Sequence, residues 1–443
     1  MKLTDIPSKV VKWGLELGAT DVVAHLTDAK ETMIRFSNNE VTVSNNFREV
    51  AVSIFVMIEN RRAGSAINVL TSEEVEKAVK ETVKIAKMSP PSETYAPLPK
   101  GPFRYNPLLL QPSKISLDPD RLTEYTEEAV NAALAAGAKR VAGSLTATNF
   151  KSYFETSANT SGNQEGSGLE ISVRAFLSEL ASGHSFSIAR QEADFKPADA
   201  GRTAGEIARI ADNPVRGEPG KYTALLGPLV FADFVNQMGS SASAFLVETG
   251  QSFLVHKLGK QVGSENLTVT DDPTIEDSYG AKPFDDEGVP TRRNVIVEKG
   301  ILKAYLHNST TAKRFNTETT ANAGLIVPYP TNLTVEAGQH GFDKMLAEME
   351  KGIYVTNNWY LRYQNYQTGD FSTIPRDGLF LVDHGSITQP IKELRISDNL
   401  PRIFQNVRAL SAQRSWVKWW EVDIPTLTPF AAVEDLNFTK PTL

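Results

Sequence analysis

The spacing of apolar residues in the first part of the chain predicts helices and strands in a regular order. A helix is expected over residues 8–18, where Gly18 can cap the C-terminus. Alternation typical of strands follows in four segments, 21–26, 32–36, 40–44 and 50–58. The stretch from Thr71 to Glu74 is a capping box, and apolar residues recur behind it at helical spacing. This part is therefore expected to form one α-β-β-β-α unit.

The same order of elements recurs after a proline-rich stretch. Gly18-Ala19 and Gly137-Ala138 each follow a predicted helix and precede predicted strands. We interpret residues 1–88 and 118–212 as two copies of one α-β-β-β-α unit, and two unrelated α+β segments are the alternative. The prolines of residues 89–119 predict neither helix nor central strand but an extended connector on the surface.

Turn-forming residues between 212 and 220 mark a second boundary. Beyond them the pattern predicts one strand and two helices, over 222–226, 228–247 and 342–352. Short alternating segments make up the remainder, with hairpin turns expected at Lys299-Gly300 and His384-Gly385. The predicted fold class is α+β, with an N-terminal α+β domain over 1–212 and a mainly antiparallel β domain over 213–443.

Composition and charge exclude several classes of function. The chain contains no cysteine, which excludes disulfides and thiolate zinc sites. Its net charge is −7, so binding to nucleic acid is not expected. No apolar run is long enough to span a membrane, and the N-terminus does not resemble a signal peptide. The expected location is therefore the cytoplasm.

Motifs of known catalytic chemistry are scarce. The chain has no His-Glu-x-x-His motif, and its six histidines are scattered singly. An acidic segment over 271–287, which includes Asp286 and Glu287, offers oxygen ligands that suit a hard cation. The simpler interpretation is a set of acidic turns whose carboxylates accept hydrogen bonds from backbone amides, with Arg292 nearby.

Two further segments allow both a functional and a structural interpretation. Residues 159–166, with Ser161 and Gly162, predict a loop that binds a ligand through backbone amides or, more simply, a hairpin loop that needs glycine. Trp416, Trp419 and Trp420 predict either an interface anchor or the plug of a β core.

Segments of the second half resemble the TldD/PmbA family, whose members were once described as modulators of DNA gyrase. The resemblance lies in GQSFL at 250–254, LGKQV at 258–262, TVTDDP at 268–273, FDDEGVPTRR at 284–293, VEKGILKAYL at 297–306, TAKR at 311–314, PTNL at 330–333, GIYV at 352–355 and TGDFS at 368–372. The N-terminal half agrees more loosely, at 17–19, 161–162 and 165–167.

This resemblance implies a two-domain chain that forms dimers. In the family, a TldD subunit carries a helical His-Glu-x-x-x-His zinc motif and pairs with a TldE/PmbA subunit. The pair cleaves unfolded peptides that are held as an added β-strand. The expected partners of this chain are thus a TldD-like subunit and a peptide substrate, and a second copy of the chain when it is alone.

The chain departs from the family pattern at the zinc motif. Counted back from Leu258-Gly259 without gaps, the motif positions fall on 235–240, which read Val-Asn-Gln-Met-Gly-Ser. Valine and serine cannot replace two imidazole ligands, and asparagine cannot act as a general base. No metal or cofactor is therefore expected in this chain, and zinc is expected in its TldD-like partner.

Three hypotheses remain. The first is a TldE/PmbA-type subunit of a TldD–TldE metallopeptidase, the second a homodimeric peptide-binding or scaffold protein, and the third a zinc peptidase with non-standard ligands, such as His256 or His307 with the acidic segment. The candidate residues of a substrate groove are Asp286, Glu287, Thr291, Arg292, His256, Ser161 and Gly162. The sequence does not identify the natural substrate.

Overall fold

The computed structural model describes residues 2–92, 94–110 and 115–441. Its N-terminal part contains two units with the same order of elements. The first consists of α1 (Ile6–Glu16), β1 (Asp21–Ser37), β2 (Glu40–Ile58), β3 (Arg61–Ile67) and α2 (Ser72–Met88). After the short helix α3 (Pro107–Leu110), the second consists of α4 (Pro119–Ala135), β4 (Arg140–Thr156), β5 (Thr160–Phe176), β6 (Ser182–Ala189) and α5 (Pro197–Ile210). This arrangement is the predicted duplication of an α-β-β-β-α unit.

The six strands of the two units form one antiparallel sheet in the order β3-β2-β1-β4-β5-β6. The units meet at its centre, where β1 pairs with β4 from Val23 opposite Thr156 to Phe36 opposite Gly143. The helices pack on one face of the sheet and bury the two apolar cores of this half. Since successive residues of a strand point to opposite faces, the second face is left for contacts with the rest of the chain.

The strands are longer than the apolar pattern predicts. Segments 21–26 and 32–36 belong to one strand, β1, and segments 40–44 and 50–58 to β2. Much of β2 before residue 51 is exposed, so its side chains need not alternate although backbone pairing with β1 continues. The N-cap of the predicted capping box is confirmed, because the Thr71 hydroxyl accepts a hydrogen bond from the Glu74 amide at 3.2 Å. Such caps contribute about 1 kcal/mol.

The proline-rich connector crosses the face of the sheet that the helices leave free. Leu98 packs there against Val23 and Phe55. The Tyr105 hydroxyl donates a hydrogen bond to the Gly288 carbonyl at 2.9 Å and so joins the connector to the second half of the chain. The expectation of a connector without helix is wrong for α3. Residues 93 and 111–114 of the predicted connector lie outside the described residues.

The second half is built around one mostly antiparallel sheet of 14 strands. Its elements are β7 (Val215–Arg216), β8 (Gly220–Leu226), α6 (Pro228–Ser241), α7 (Ala244–Glu248), β9 (Val269–Asp271), β10 (Asn294–Glu298), β11 (Ile301–Leu302), α8 (Ser309–Arg314), β12 (Leu333–Val335), α9 (Phe342–Ala347), β13 (Lys351–Val355), β14 (Trp359–Asn365), β15 (Asp370–Ile374), β16 (Leu379–Asp383), β17 (Ser386–Lys392), β18 (Arg395–Asn399), α10 (Leu400–Gln405), β19 (Val407–Trp419) and β20 (Val422–Thr439). The α+β fold class is thereby confirmed.

Helix α6 lies inside the largest apolar core of this half. Apolar residues surround its axis, as expected of a buried helix. The helix predicted over 228–247 is interrupted, because α6 ends at Ser241 and α7 begins at Ala244. The helix predicted over 342–352 ends at Ala347, since residues from Lys351 onward join β13 and pair with β16. Both predicted hairpin turns are confirmed, each with a glycine at positive φ (Gly300 and Gly385).

The division into domains at residue 212 stays a prediction. The last strand of the first sheet ends at Ala189, and the first strand of the second sheet begins at Val215. None of the helices in the described part of the chain combines the length and the apolar content that crossing a membrane requires.

A buried carboxylate, that of Asp377, joins the two halves. Its Oδ1 accepts hydrogen bonds from the Arg174 guanidinium at 2.5 Å and the Ser182 hydroxyl at 2.6 Å, both in the first sheet. Its Oδ2 accepts hydrogen bonds from Asn357 Nδ2 and Trp359 Nε1, each at 3.0 Å, in the second half. Burial alone would raise the pKa of Asp377, but the Arg174 charge and these hydrogen bonds outweigh burial and lower the pKa.

Aromatic rings surround this junction. His184 of β6 is buried, its Nε2 lies 2.9 Å from the Ser172 hydroxyl, and burial lowers its pKa to about 4. The centroid of its ring lies 4.7 Å from that of Trp419, which is buried, whereas Trp420 is 57% exposed. Trp419 therefore serves as a core plug between the halves, and Trp420 lies at the surface.

The junction yields a prediction on stability. Asp377→Asn removes the charge that balances the Arg174 guanidinium and is expected to lower the free energy of unfolding by about 3 kcal/mol, as breaking buried ion pairs does. Urea denaturation followed by tryptophan fluorescence measures this change. The matched control is Asp199→Asn, which breaks an exposed pair with Arg202 at 3.0 Å and should cost less than about 1 kcal/mol. Equal costs for the two variants would show that Asp377 does not hold the halves together.

Candidate functional site

A groove of about 510 Å³ lies where loops of the second half face the free side of the first sheet. His25 and Thr27 are two residues apart on β1, so their side chains point to this side, while Leu26 between them points into the helical core. We call this space the junction groove. It is lined by His25, Thr27, Phe150, Ser152, Gln164, residues 279–282, residues 329–331 and residues 423–425.

Three polar side chains interact at one wall of the junction groove. The Lys282 ammonium forms an ion pair with Asp286 Oδ1 at 2.9 Å. The Tyr329 hydroxyl lies 3.2 Å from Asp286 Oδ2 and 3.4 Å from Lys282 Nζ. Burial opposes both charges, but their mutual attraction raises the pKa of Lys282 and lowers that of Asp286. The pair is therefore ionised at neutral pH.

His25 adds a neutral imidazole to the same wall. Its Nε2 is buried and has no hydrogen-bond partner among residues 2–92, 94–110 and 115–441. Burial lowers the pKa of His25, and the Lys282 charge lowers it further while Asp286 opposes this change. The ring is therefore uncharged at neutral pH.

The acidic segment next to the groove is held by backbone amides. Asp285 Oδ1 accepts hydrogen bonds from the Glu287 amide at 3.0 Å and the Val289 amide at 2.9 Å. Its Oδ2 accepts one from the Ala323 amide at 3.0 Å. In the described part of the chain, no three His, Asp or Glu side chains converge in the manner of metal ligands. The interpretation of acidic turns therefore agrees with the geometry around Asp285.

Glu287 is buried beneath this turn and contacts the start of α8. Its carboxyl group accepts hydrogen bonds from the Ser309 amide at 3.0 Å and the Ser309 hydroxyl at 2.6 Å. Burial, together with the neighbouring charge of Asp285, raises the pKa of Glu287 to about 8. Glu287 is therefore mostly protonated at neutral pH and serves to attach α8 to the turn.

The other candidate residues are placed differently. Thr291 donates a hydrogen bond to the Lys282 carbonyl and so helps to position the ion pair, whereas the side chain of Arg292 is exposed. His256 is exposed at a positive φ of 58° and does not line the groove. His307 is buried, and its Nδ1 lies 3.2 Å from the Thr311 hydroxyl.

The expectation of a loop over 159–166 is wrong, because Thr160 begins β5 and these residues pair with β4. Ser161 is exposed on that strand. Gly162 is required by close packing, since a Cβ there would lie 2.7 Å from the Phe154 ring and 3.0 Å from the Phe284 ring. Phe284 immediately precedes the acidic turn, so Gly162 lets the sheet approach that turn closely.

Helix α6 runs beneath the floor of the junction groove. Asn236 Nδ2 donates hydrogen bonds to the Ile424 carbonyl at 3.1 Å and the Thr426 hydroxyl at 2.6 Å. Its Oδ1 accepts a hydrogen bond from the Ile424 amide at 2.9 Å. Because Ile424 lines the groove, Asn236 connects the expected position of the zinc motif to the groove floor.

Sequence reasoning missed His25, Lys282 and Tyr329. His25 is one of six scattered histidines, and no neighbour along the chain distinguishes it. Lys282 does stand four residues before Asp286, which is a usable signal only where both residues lie on one helix. Tyr329 reaches the site through a loop, and only the tertiary fold brings it there.

The raised pKa of Glu287 predicts a specific dependence of stability on pH. The folded chain keeps this proton up to about pH 8, whereas the unfolded chain loses it near the ordinary glutamate value. The contribution of Glu287 to the free energy of unfolding therefore falls as pH rises, by at most about 1.4 kcal/mol per pH unit. Glu287→Gln should gain stability relative to the native chain in urea titrations between about pH 5.5 and about pH 8.5.

The control is Glu81→Gln on the exposed surface of α2. Its difference in free energy of unfolding from the native chain should not change across this pH range. If the difference for Glu287→Gln were equally flat, the buried and protonated state of Glu287 would be disproved.

Comparison with known proteins places this geometry in a family. The family model of the PmbA/TldA metallopeptidase C-terminal domain matches residues 219–440, and that of PmbA/TldA metallopeptidase domain 1 matches residues 26–86. A metalloprotease of Methanocaldococcus jannaschii is 34% identical over 202 residues, which are 43% of this chain and 44% of that protein. Matches to three archaeal relatives span 44% to 58% of the relative's own length, about half of each.

Longer matches have lower identity. Metalloprotease PmbA of Escherichia coli O157:H7 is 26% identical over 421 residues, which are 88% of each chain. The crystal structure of TldE from Thermococcus kodakarensis superposes with a TM-score of 0.86 at 19% identity, over 98% of this chain and 100% of that one, and so shares its fold. Because the C-terminal family model alone covers half of the sequence, the chain belongs to the PmbA/TldD metallopeptidase family.

Proposed function

We propose that this chain is a TldE/PmbA-type subunit, which pairs with a zinc-bearing TldD-like chain to cleave unfolded peptides. The observation that carries the proposal is the environment of Asn236 on α6. Both polar atoms of its side chain are engaged by β20, at Ile424 and Thr426. A residue held in this way stabilises the floor of the junction groove and is not available as a general base.

The residues expected at the zinc motif do not fit a zinc ion. Val235 is buried in the apolar core, and its side chain offers no ligand atom. Asn236 is neutral and fully hydrogen-bonded, and Ser240 offers only a hydroxyl, which is a poor substitute for imidazole. In this proposal the chemistry of peptide hydrolysis takes place on the partner, and this chain binds and orients the substrate.

The junction groove is the proposed contribution of this chain to substrate binding. Its volume of about 510 Å³ lies within the usual range of ligand sites. The Lys282 ammonium and the Tyr329 hydroxyl line the groove and offer hydrogen-bonding groups that suit the carbonyl and amide groups of a peptide backbone.

The proposed pairing predicts the behaviour of purified proteins. Alone, the chain should form homodimers and should not cleave an unstructured fluorescent peptide. Mixed with a TldD-like chain that carries the His-Glu-x-x-x-His motif, it should form a one-to-one complex that cleaves this peptide and loses activity when zinc is chelated. Size-exclusion chromatography with light scattering, chromatography of the products and metal analysis provide the measurements.

Two outcomes would contradict the pairing. Stoichiometric zinc and chelator-sensitive cleavage by the chain alone would favour the third hypothesis, of a peptidase with non-standard ligands. Stable homodimers that bind the peptide but ignore the TldD-like chain would favour the peptide-binding scaffold.

Whether the peptide substrate binds in the junction groove is tested by filling the groove with a large side chain. Thr27→Trp places an indole among the lining residues and should lower the cleavage rate of the complex by about tenfold or more, since the peptide loses its place. Thr388→Trp, on the exposed surface of β17, is the matched control and should leave the rate unchanged. Both variants should still form the complex, and unaltered cleavage by the Thr27 variant would exclude the groove as a substrate site.

A further inference from the structure

A second and larger cavity, of about 660 Å³, follows the outer edge of β6. β6 ends the first sheet and pairs with β5 alone among the described strands, so one side of its backbone has no strand hydrogen-bonded to it. Helix α5, residues 227–229 and residues 414–416 of β19 form the other walls. We call this space the edge cavity. It does not include the Lys282–Asp286 pair of the junction groove.

Arg190 is the buried charged residue of the edge cavity. Arg190 is 5% exposed and directly follows Ala189, the last residue of β6. Within the described part of the chain its guanidinium makes one hydrogen bond, to the Glu165 carbonyl at 3.4 Å. No carboxylate there lies within 4.0 Å of it. Burial lowers the pKa of Arg190, and Asp277 only partly opposes this effect.

The other charged residues of the cavity lie at its exposed rim. They carry both signs, as Asp194, Lys196, Asp199, Asp277 and Arg414. Asp199 is paired with Arg202 at 3.0 Å, and Arg414 donates a hydrogen bond to the Val335 carbonyl at 3.0 Å. The rim therefore does not favour ligands of one charge. Arg190 is the charged group inside the cavity and gives the interior a positive charge.

A buried guanidinium without a carboxylate partner is costly, and the cost is recovered when an anion binds. Guanidinium groups bind carboxylates through two parallel hydrogen bonds. An extended peptide can pair with the open edge of β6 through its backbone. If the peptide runs parallel to β6, its C-terminus lies at the end of that strand, beside Arg190.

We propose that the edge cavity binds the carboxylate of an extended peptide through Arg190, with the peptide backbone beside β6. This proposal rests on the proposed function in so far as the ligand is a peptide. It adds a recognition site for the carboxylate, which holds the end of a substrate or product away from the junction groove. The carboxylate belongs either to the C-terminus or to an acidic side chain, and the two sources can be distinguished.

The test measures binding of a fluorescein-labelled hexapeptide of alanine, serine and valine to the full chain by fluorescence anisotropy. Three forms are compared, namely the free C-terminal acid, the C-terminal amide, and the amide with one internal glutamate. The free acid should bind at least about tenfold more tightly than the amide, as a bidentate charged pair allows. Recovery of affinity by the glutamate form would assign the site to acidic side chains instead.

Arg190→Gln should weaken binding of the free acid by about tenfold and leave binding of the amide unchanged. The matched control is Arg140→Gln, an exposed arginine of β4 that does not line the cavity, and it should bind like the native chain. Thr203→Trp, at an exposed position of α5 that lines the cavity, should weaken both peptides by filling the space. This second variant keeps the test valid if Arg190→Gln fails to fold.

Equal affinity of the native chain for acid and amide, or equal affinity of native and folded Arg190→Gln for the acid, would overturn the proposal. So would unweakened binding by folded Thr203→Trp. These results are independent of pairing with a TldD-like chain, because binding is measured on this chain alone. A complex that forms and cleaves normally with Arg190→Gln, but without preference for free acids, would leave the proposed function intact and support the edge cavity.

Discussion

The buried carboxylate of Asp377 is the interaction on which the arrangement of the two halves depends. It lies between the outer strands of the first sheet and a loop of the second half, and it accepts hydrogen bonds from both. A charge at this depth is tolerable only when its partners are fixed, so the partners on each side become fixed relative to one another. The junction groove and the edge cavity both have walls from both halves, and their shapes follow from this constraint.

In the proposed function, helix α6 keeps its place in the fold without a catalytic role. The apolar residues around α6 anchor it in the core, and these contacts do not depend on what stands at the position of a catalytic base. Asn236 fits because a carboxamide both donates and accepts, and β20 offers a carbonyl, a hydroxyl and an amide to match. A carboxylate at this place could not donate, and the Ile424 carbonyl would be left facing a negative charge. The position is thus specialised for structure.

The local features were predictable because local chemistry determines them. The cap at Thr71, the turns at Gly300 and Gly385 and the repeated α-β-β-β-α order all depend on residues close in sequence. The pattern failed where pairing is decided at a distance, as in the exposed half of β2 and in the segment after Ala347. The family resemblance predicts that the acidic turn takes part in a substrate groove. It did not reveal His25, Tyr329 or Arg190, whose roles depend on residues far away in the chain.

The central pairing of the first sheet has a consequence for how the chain folds. β1 can pair with β4 only late in synthesis, because Val23 lies opposite Thr156. The rest of the first unit, the connector and α4 separate the two strands in the sequence. Contacts between such distant residues form slowly, and on the ribosome β1 remains an unprotected edge until the second unit has emerged. Lys30 and Arg35 place exposed charges along β1, whereas Asp28 is paired with Arg48 of β2 at 2.9 Å. Charges of this kind discourage pairing with strands of other chains while β1 is still an edge.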